Sequence, residues 1–282
     1  MKNRSELFSK YCNSVIPIGH IFNKTRKLPI DSKYLLPGKI EGSEILVFPT
    51  ATAFVLKIDE NKTQLVTANH AFPEIEKNVD IALFIVPQAN TPYELTPFSM
   101  NDLETYSGVR DFIRLPNQDI CVFEVDTPEA LYKLKSKPIP LGSDFQIGDP
   151  VCTIGYPFIG FDGTDQKGVP NFRFVNRLTS AHLSSIWVEN NETLIMEFDN
   201  YIGPGNSGGP LFNLRTGAVI GIVTATRTES NPNYPQLQNM TTFSHATYIT
   251  ELNRARQKFP NIPDFGCSHC YGKNVIGKNN GH

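Results

Sequence analysis

Apolar residues in this chain fall in many short runs rather than in long helical repeats. Between residues 44 and 125 these runs are rich in β-branched side chains and are separated by Asn, Asp, Gly and Pro. Such a pattern is typical of β-strands joined by turns. The runs at 44–57 and 64–68 flank the polar turn Asp59-Glu60-Asn61-Lys62 and predict a hairpin. Further strands are predicted in this part of the chain at 80–86, 112–115 and 119–125.

The second part of the chain repeats this strand-like pattern and then changes period. After a lysine-containing segment at 128–137, which we interpret as a linker, strands are predicted at 150–154, 171–178, 183–188, 193–197, 219–224 and 241–247. The segment 158–170 has the composition of a loop. Ile249, Leu252, Ala255 and Phe259 are spaced by three and four residues, which predicts a C-terminal helix. The fold class is therefore all-β with a short C-terminal helix.

Composition narrows the partners that this protein can have. The chain has 282 residues, enough for a large core and a prior near two domains, and 40% of them are hydrophobic. Its net charge of −2 provides no basic field for nucleic acid or an anionic membrane surface. No apolar run is long enough to span a membrane. We expect no nucleic-acid partner and no membrane association.

Cysteine usage and the first residues indicate the compartment. Five cysteines is an odd and low count for a chain of this length, which suits a reducing environment better than a disulfide framework. The start of the chain lacks the apolar stretch of a secretory signal. We therefore expect a cytoplasmic protein.

A glycine-rich turn at 203–211, with the sequence GPGNSGGPL, carries the candidate nucleophile Ser207. A serine held among glycines suits nucleophilic catalysis by a hydroxyl. The N–H groups of Gly205 and Ser207, with Asn206 between them, can point into one pocket and stabilise the oxyanion of a tetrahedral intermediate. The alternative interpretation is a Gly-rich hairpin with an incidental serine.

A serine hydroxyl needs a base, and the base needs an acid to orient it. The apolar run at 65–68 leads to His70, which places an imidazole at a strand end, and Asp119 directly precedes the apolar strand at 120–125. Asp111 and Asp126 are nearby alternatives for the acid. Alternatives for the base, none in a comparable setting, are His20, His182, His245, His269 and His282.

The order His70, Asp119, Ser207, together with TANH and GNSGGPL, resembles the chymotrypsin-fold serine proteases. The similarity is closest to the HtrA/Deg-like branch of trypsin-like peptidases, because the segments at 53–56, 140–143, 147–157 and 219–222 also resemble that branch. The resemblance covers roughly residues 41–250. It implies two six-stranded antiparallel β-barrels, at 41–130 and 138–249, with an N-terminal arm at 1–40 and a helix and tail at 250–282. We expect the arm to pack on the first barrel, with 15–18 as an edge strand.

The resemblance implies a serine endopeptidase that acts on proteins or peptides without a cofactor. It places Tyr201 at the base of the primary specificity pocket, where the absence of a carboxylate argues against a preference for Lys or Arg. It places Val223, Thr224 and Ala225 on a strand edge that binds extended peptide. Asn206 stands where digestive relatives have an Asp, which argues against activation by insertion of a new N-terminus. Because few residues follow Ile249, we expect no PDZ domain.

Two rival functions remain open at this point. One is a catalytically silent peptide-binding module of the same fold. The other is a regulatory protease that cleaves one target after activation by a protein partner.

Cys267, His269 and Cys270 form a weak zinc candidate in the tail. Their C-x-x-C spacing supplies half of a zinc site, but no second pair follows, so free thiols are the simpler interpretation.

Overall fold

Two antiparallel β-structures follow one another along the chain. The computed structural model describes residues 3–23, 36–40, 43–71, 80–85, 98–99, 104–106, 109–157, 160–164, 170–174, 176–189, 193–228, 241–249 and 252. The first part contains helix α1 (Arg4–Tyr11), a 3₁₀ turn (Cys12–Ser14) and strands β1 (Val15–Asn23), β2 (Leu36–Ile40), β3 (Ser43–Ile58), β4 (Lys62–Ala68), β5 (Asp80–Ile85), β6 (Phe98–Ser99), β7 (Glu104–Tyr106), β8 (Val109–Leu115) and β9 (Ile120–Asp126).

The second part begins with a short helix in the linker. It contains α2 (Glu129–Lys133) and strands β10 (Pro150–Gly155), β11 (Gly160–Thr164), β12 (Pro170–Arg173), β13 (Arg177–Glu189), β14 (Thr193–Phe198), β15 (Pro210–Asn213), β16 (Val219–Thr228) and β17 (Thr241–Tyr248). The all-β prediction is confirmed.

Sheet topology defines the two halves of the molecule. In the first half the strand order is β7-β5-β1-β3-β4-β9-β8, with β2 added to β3. The second half is a closed six-stranded barrel in the order β10-β13-β14-β17-β16-β15. A three-stranded sheet, β11-β12-β6, joins strands from both halves. The larger buried cluster is continuous between them, since it includes Phe54 and Phe84 of the first half and Phe198 and Phe212 of the barrel.

The N-terminal arm differs from the prediction. Strand β1 pairs with β3 on one side and β5 on the other, so the expected edge strand is wrong. Pro17 lies opposite Thr52, whose N–H and C=O form hydrogen bonds with Ser207 and Thr67 instead of with β1. On the other side, the pairing with β5 begins only at Ile18. A residue without an N–H is therefore tolerated at this position. Helix α1 also contacts the second barrel, where Tyr11 stacks on Phe212.

Two other boundaries were predicted wrongly. Strand β13 is one strand with a bulge between Leu183 and Ser185, where the sequence predicted two. Strand β11 lies in the segment predicted as loop. The predicted C-terminal helix falls on 250–282, of which the structure describes only the buried Leu252.

Candidate active site

His70 and Asp119 meet directly at the end of two neighbouring strands. His70 lies in the 3₁₀ turn that follows β4, and Asp119 immediately precedes β9, which is paired with β4. The distance from His70 Nδ1 to Asp119 Oδ2 is 2.6 Å, and the backbone N–H of His70 donates to Asp119 Oδ1 at 2.8 Å. The carboxylate therefore fixes both the imidazole ring and the backbone that carries it.

A strained backbone conformation presents this carboxylate. Asp119 has φ 54° and ψ 41°, a left-handed conformation that Asp adopts more readily than most residues. Its N–H donates to Pro116 O across the preceding 3₁₀ turn, and its C=O accepts from Asn69 N–H at 3.0 Å. Thr193 of the second barrel donates to Asn117 O at 3.1 Å. The acid is thus held by contacts from both halves of the molecule.

The Asp119 contact changes the titration of the base. Its hydrogen bond to His70 stabilises the imidazolium and raises the pKa of His70 above the usual 6.5, against an opposing effect of burial. The His70 side chain is 49% exposed, so one side of the ring is open to solvent and to a substrate. An oriented, accessible imidazole of this kind can act as a general base.

The alternative bases and acids that fall on described residues belong to other elements. His182 is paired with Asp199 on the surface, and His245 lies 3.4 Å from Glu197 on the barrel. His20 lies in β1, and His269 and His282 lie outside the described residues. Asp126 ends β9, on the order of 20 Å along the strand from Asp119. Asp111 lies opposite Glu124 in the β8–β9 ladder.

The loop that carries Ser207 is seated against the first half of the molecule. Ser207 O accepts the N–H of Thr52 on β3 at 2.8 Å. The next residue, Gly208, has φ +87°, and a Cβ there would overlap Thr52 O and Thr67 Oγ1 and lie 2.8 Å from Ala68 N. Because Ala68 is two residues before His70, this close approach brings the serine loop to the strand that ends at the imidazole.

The predicted oxyanion donors lie in the same loop. Gly205 has φ +98°, a conformation open to glycine, and its carbonyl accepts from Thr52 Oγ1 at 2.7 Å. Asn206 is 2% exposed, and its side-chain amide donates to Gly203 O. Among the hydrogen bonds of the described residues, none is donated by the backbone N–H of Gly205 or Ser207. Within the described part of the chain, neither N–H group therefore has an acceptor.

The predicted substrate-binding residues flank this loop. Tyr201 is 42% exposed, and the N–H of its neighbour Ile202 donates to the buried Ser244. Val223 exchanges hydrogen bonds with the serine loop, because its C=O accepts from Gly208 and its N–H donates to Gly209. Thr224 falls at a bulge between Val223 and Ala225 in the β16–β17 ladder.

Two residues near the site were missed by sequence reasoning. Thr52 contacts the serine loop through both its backbone and its hydroxyl. Arg114 donates from Nε to Asn69 Oδ1 at 2.5 Å and so supports the turn that bears His70. A buried threonine in an apolar strand and an arginine in a polar segment give no signal in a single sequence.

Two of the described cysteines, Cys121 and Cys152, are buried in strands of the two halves. Burial raises the pKa of Cys121 and of Cys152 to about 12, so neither is a ready thiolate. No group of three or more potential metal ligands occurs within the described residues, and Cys267, His269 and Cys270 lie outside them. In that same part of the chain, no helix has the length and apolar character to cross a membrane.

Comparison with known proteins finds relatives that are named as proteases. The trypsin-like peptidase domain family matches residues 51–222, more than half of the chain. The chain is 36% identical over 111 residues to protease Do-like 1, chloroplastic, of Arabidopsis thaliana. It is 41% identical over 98 residues to a probable periplasmic serine endoprotease DegP-like of Pseudomonas fluorescens. These segments cover 39% and 33% of this chain but only 23% and 18% of the relatives.

A solved structure supports the fold. The HtrA-type protease AlgW with a decapeptide aligns with a TM-score of 0.57 at 17% identity, covering 92% of this chain and 67% of AlgW. The family match and the DegP-like relatives agree with this architecture and with the sequence resemblance. The chain belongs to the trypsin-like peptidase domain family.

Proposed function

We propose that this protein is a serine endopeptidase that hydrolyses peptide bonds of protein substrates through an acyl-enzyme. The observation that carries the proposal is the 2.6 Å contact between His70 Nδ1 and Asp119, on the strand end against which the Ser207 loop is seated. When Nδ1–H is donated to the carboxylate, the Nε2 lone pair of a neutral His70 is available to accept a proton.

The reaction proceeds in two acyl-transfer steps. Ser207 Oγ bonds to the peptide carbonyl carbon while its proton passes to His70, and the N–H groups of Gly205 and Ser207 stabilise the oxyanion. Collapse breaks the C–N bond, and the imidazolium gives its proton to the leaving amine. A water then attacks the acyl-enzyme in the same way. This second step releases the carboxylic acid product and restores the Ser207 hydroxyl. Asp119 keeps the tautomer and stabilises the imidazolium throughout.

A strand edge beside the loop suits an extended peptide. The pairing of β16 with β15 ends at Ile222, whereas its pairing with β17 continues to Thr228. Within the described residues, one edge of 224–228 is therefore without a strand partner, and a substrate backbone can add there as a further strand. Val223, Thr224 and Ala225 would bind the substrate mainly through their backbone, since the side chains of Val223 and Thr224 are buried.

We assign the side-chain preference to Tyr201. No carboxylate occupies this position, and a tyrosine shortens a pocket, so we expect cleavage after small or medium apolar residues. A peptide-library profile dominated by Lys or Arg would contradict this assignment.

Covalent labelling tests the proposed activity. A fluorophosphonate probe should label the wild-type protein, and Ser207→Ala should abolish both labelling and peptide cleavage. Ser184→Ala is a matched control, because Ser184 donates to Glu197 O within the barrel, and it should label like wild type. Absence of labelling in an otherwise folded wild-type protein would favour the silent peptide-binding module.

The partner-activated alternative gives a different result. A protein that is inert alone but cleaves one defined substrate in a mixture would indicate a regulatory protease with an activating partner. Comparison of newly formed protein N-termini between wild type and Ser207→Ala separates this outcome from general proteolysis.

We retain the cytoplasm as the proposed compartment. Cys121 and Cys152 are free and buried, as expected in a reducing environment. Recovery of the native protein in an exported fraction would contradict this proposal.

A further inference from the structure

Thr52, on β3 of the first half, contacts the nucleophile loop through both its backbone and its side chain. It lies on β3 beyond the last residue paired with β4, Phe54, so its backbone is not used by that ladder. The side chain is completely buried. Its N–H donates to Ser207 O at 2.8 Å, and its Oγ1 donates to Gly205 O at 2.7 Å.

The two remaining polar contacts of Thr52 fix its orientation. Tyr156 N–H donates to Thr52 Oγ1 at 3.2 Å, which occupies a lone pair and leaves the hydroxyl hydrogen for Gly205. Thr67 Oγ1 donates to Thr52 O at 2.7 Å, which fixes the strand itself. The hydroxyl therefore sits in a complete network whose members come from both halves of the molecule.

These contacts hold the segment 205–207 at both ends. Thr52 binds the carbonyl groups of Gly205 and Ser207, while the N–H groups of the same two residues meet no acceptor among the described residues and can face an oxyanion. A glycine reaches many backbone conformations at low cost, so the Gly205 conformation at φ +98° needs an outside restraint to stay fixed. The Thr52 hydroxyl supplies that restraint.

We infer that Thr52 is a positioning residue for the oxyanion hole: its hydroxyl holds the Gly205 carbonyl and thereby keeps the Gly205 N–H aimed at the reacting carbonyl. This inference rests on the proposed serine-protease function. Through Thr52, strand β3 of the first half contributes to the stabilisation of the transition state by the second half of the molecule. The oxyanion exists only in and around the transition state, so the effect belongs to kcat rather than to substrate binding.

Substitution at Thr52 separates positioning from simple packing. Thr52→Val keeps the side-chain shape and removes the hydroxyl, whereas Thr52→Ser keeps the hydroxyl and removes a methyl. Removing an oxyanion donor costs on the order of 10²–10³ in kcat, and loosening one costs less, so we expect Thr52→Val to lower kcat by roughly 10–100-fold. KM should stay within about threefold, and Thr52→Ser should recover most of the lost kcat.

Thr63→Val is the matched control. Thr63 is equally buried on the adjacent strand β4, but its hydroxyl contacts Thr127, away from the serine loop. It should leave kcat and KM at their wild-type values. Circular dichroism melting of each variant checks that the protein assayed is folded. If Thr52→Val does not fold, Thr52→Ala takes its place as the variant without a hydroxyl.

The outcomes distinguish this inference from the function on which it rests. If Ser207→Ala cleaves peptide as fast as wild type, the proposed function fails and the role of Thr52 fails with it. If Ser207→Ala is inactive but the variant without a hydroxyl retains wild-type kcat, only the Thr52 inference is overturned. It is also overturned if Thr52→Ser is as impaired as Thr52→Val, or if Thr63→Val loses kcat to the same extent.

Discussion

A single carboxylate fixes the titration of the proposed base. Asp119 contacts both the ring and the backbone of His70, and its hydrogen bond raises the pKa of His70 above 6.5. The protonated imidazole cannot accept the Ser207 proton, so activity should be lost as the pH falls through that pKa. The acid limb of the kcat/KM profile should therefore have its midpoint above pH 6.5.

Replacement of the carboxylate should change both the rate and the position of that limb. In Asp119→Asn the stabilisation of the imidazolium is lost while burial still opposes it, so the midpoint should shift to lower pH. The kcat should fall by about 10⁴, since an amide favours the wrong tautomer. Asp126→Asn, at the far end of β9, serves as the control and should reproduce the wild-type profile. An unchanged profile in Asp119→Asn would remove Asp119 from the mechanism.

The residue types of the site could be predicted, but their supports could not. His70, Asp119 and Ser207 stand at element ends, where the chemistry of each side chain and the flanking apolar runs give a recognisable signal. Thr52 has no such signal, because a hydroxyl in a buried strand becomes informative only when its acceptor is known. That acceptor, Gly205, is 153 residues away along the chain.

At the scale of elements, the serine loop can sit against the first half only because Gly208 has no side chain. Gly208 and Gly148 have nearly the same positive φ, +87° and +89°. A Cβ at Gly208 would overlap Thr52 and Thr67, whereas a Cβ at Gly148 meets nothing within 4 Å. The two glycines therefore separate backbone strain from loss of the contact between the loop and the first half.

Alanine at these two positions should have very different effects. Gly148→Ala should cost about 1–2 kcal/mol of the free energy of unfolding, from the positive φ alone. Gly208→Ala adds a clash with backbone atoms, so it should cost more than about 3 kcal/mol and abolish peptide cleavage. Urea denaturation and the peptidase assay measure both quantities. Equal stability and activity of the two variants would show that the loop is not seated as described.

Element boundaries could be predicted where the residue pattern of the sequence agrees with the strand pairing of the structure. The β3–β4 hairpin follows its alternating residues and polar turn. A proline such as Pro17 has no N–H for a ladder and is typical of a sheet edge. The facing residue Thr52, however, directs its own polar groups to Thr67 and Ser207. The proline is thus accommodated by a tertiary contact that local pattern does not contain.

At the scale of the whole molecule, the segment 3–14 joins the two halves. Arg4 donates to Ser180 of the barrel, and Asn176 donates to Cys12 O. The following turn reaches the linker, since Asn13 donates to Leu134 O and Ser14 accepts from Lys137 N. The chain then continues directly into β1 of the first half, so this segment contacts the barrel, the linker and the sheet in succession.

The anchor of that segment is Tyr11, and its loss should weaken the whole molecule. Tyr11 is 4% exposed and stacks on Phe212 with 5.7 Å between ring centroids. Tyr11→Ala should lower the free energy of unfolding by about 3–5 kcal/mol, as expected for a buried aromatic side chain. Tyr132, on α2, is 54% exposed, and Tyr132→Ala should change it by less than about 0.5 kcal/mol. Because His70 and Ser207 come from different halves, peptidase activity should be lost at a lower temperature in Tyr11→Ala than in Tyr132→Ala. Loss at the same temperature in the two variants would show that the segment 3–14 does not couple the halves.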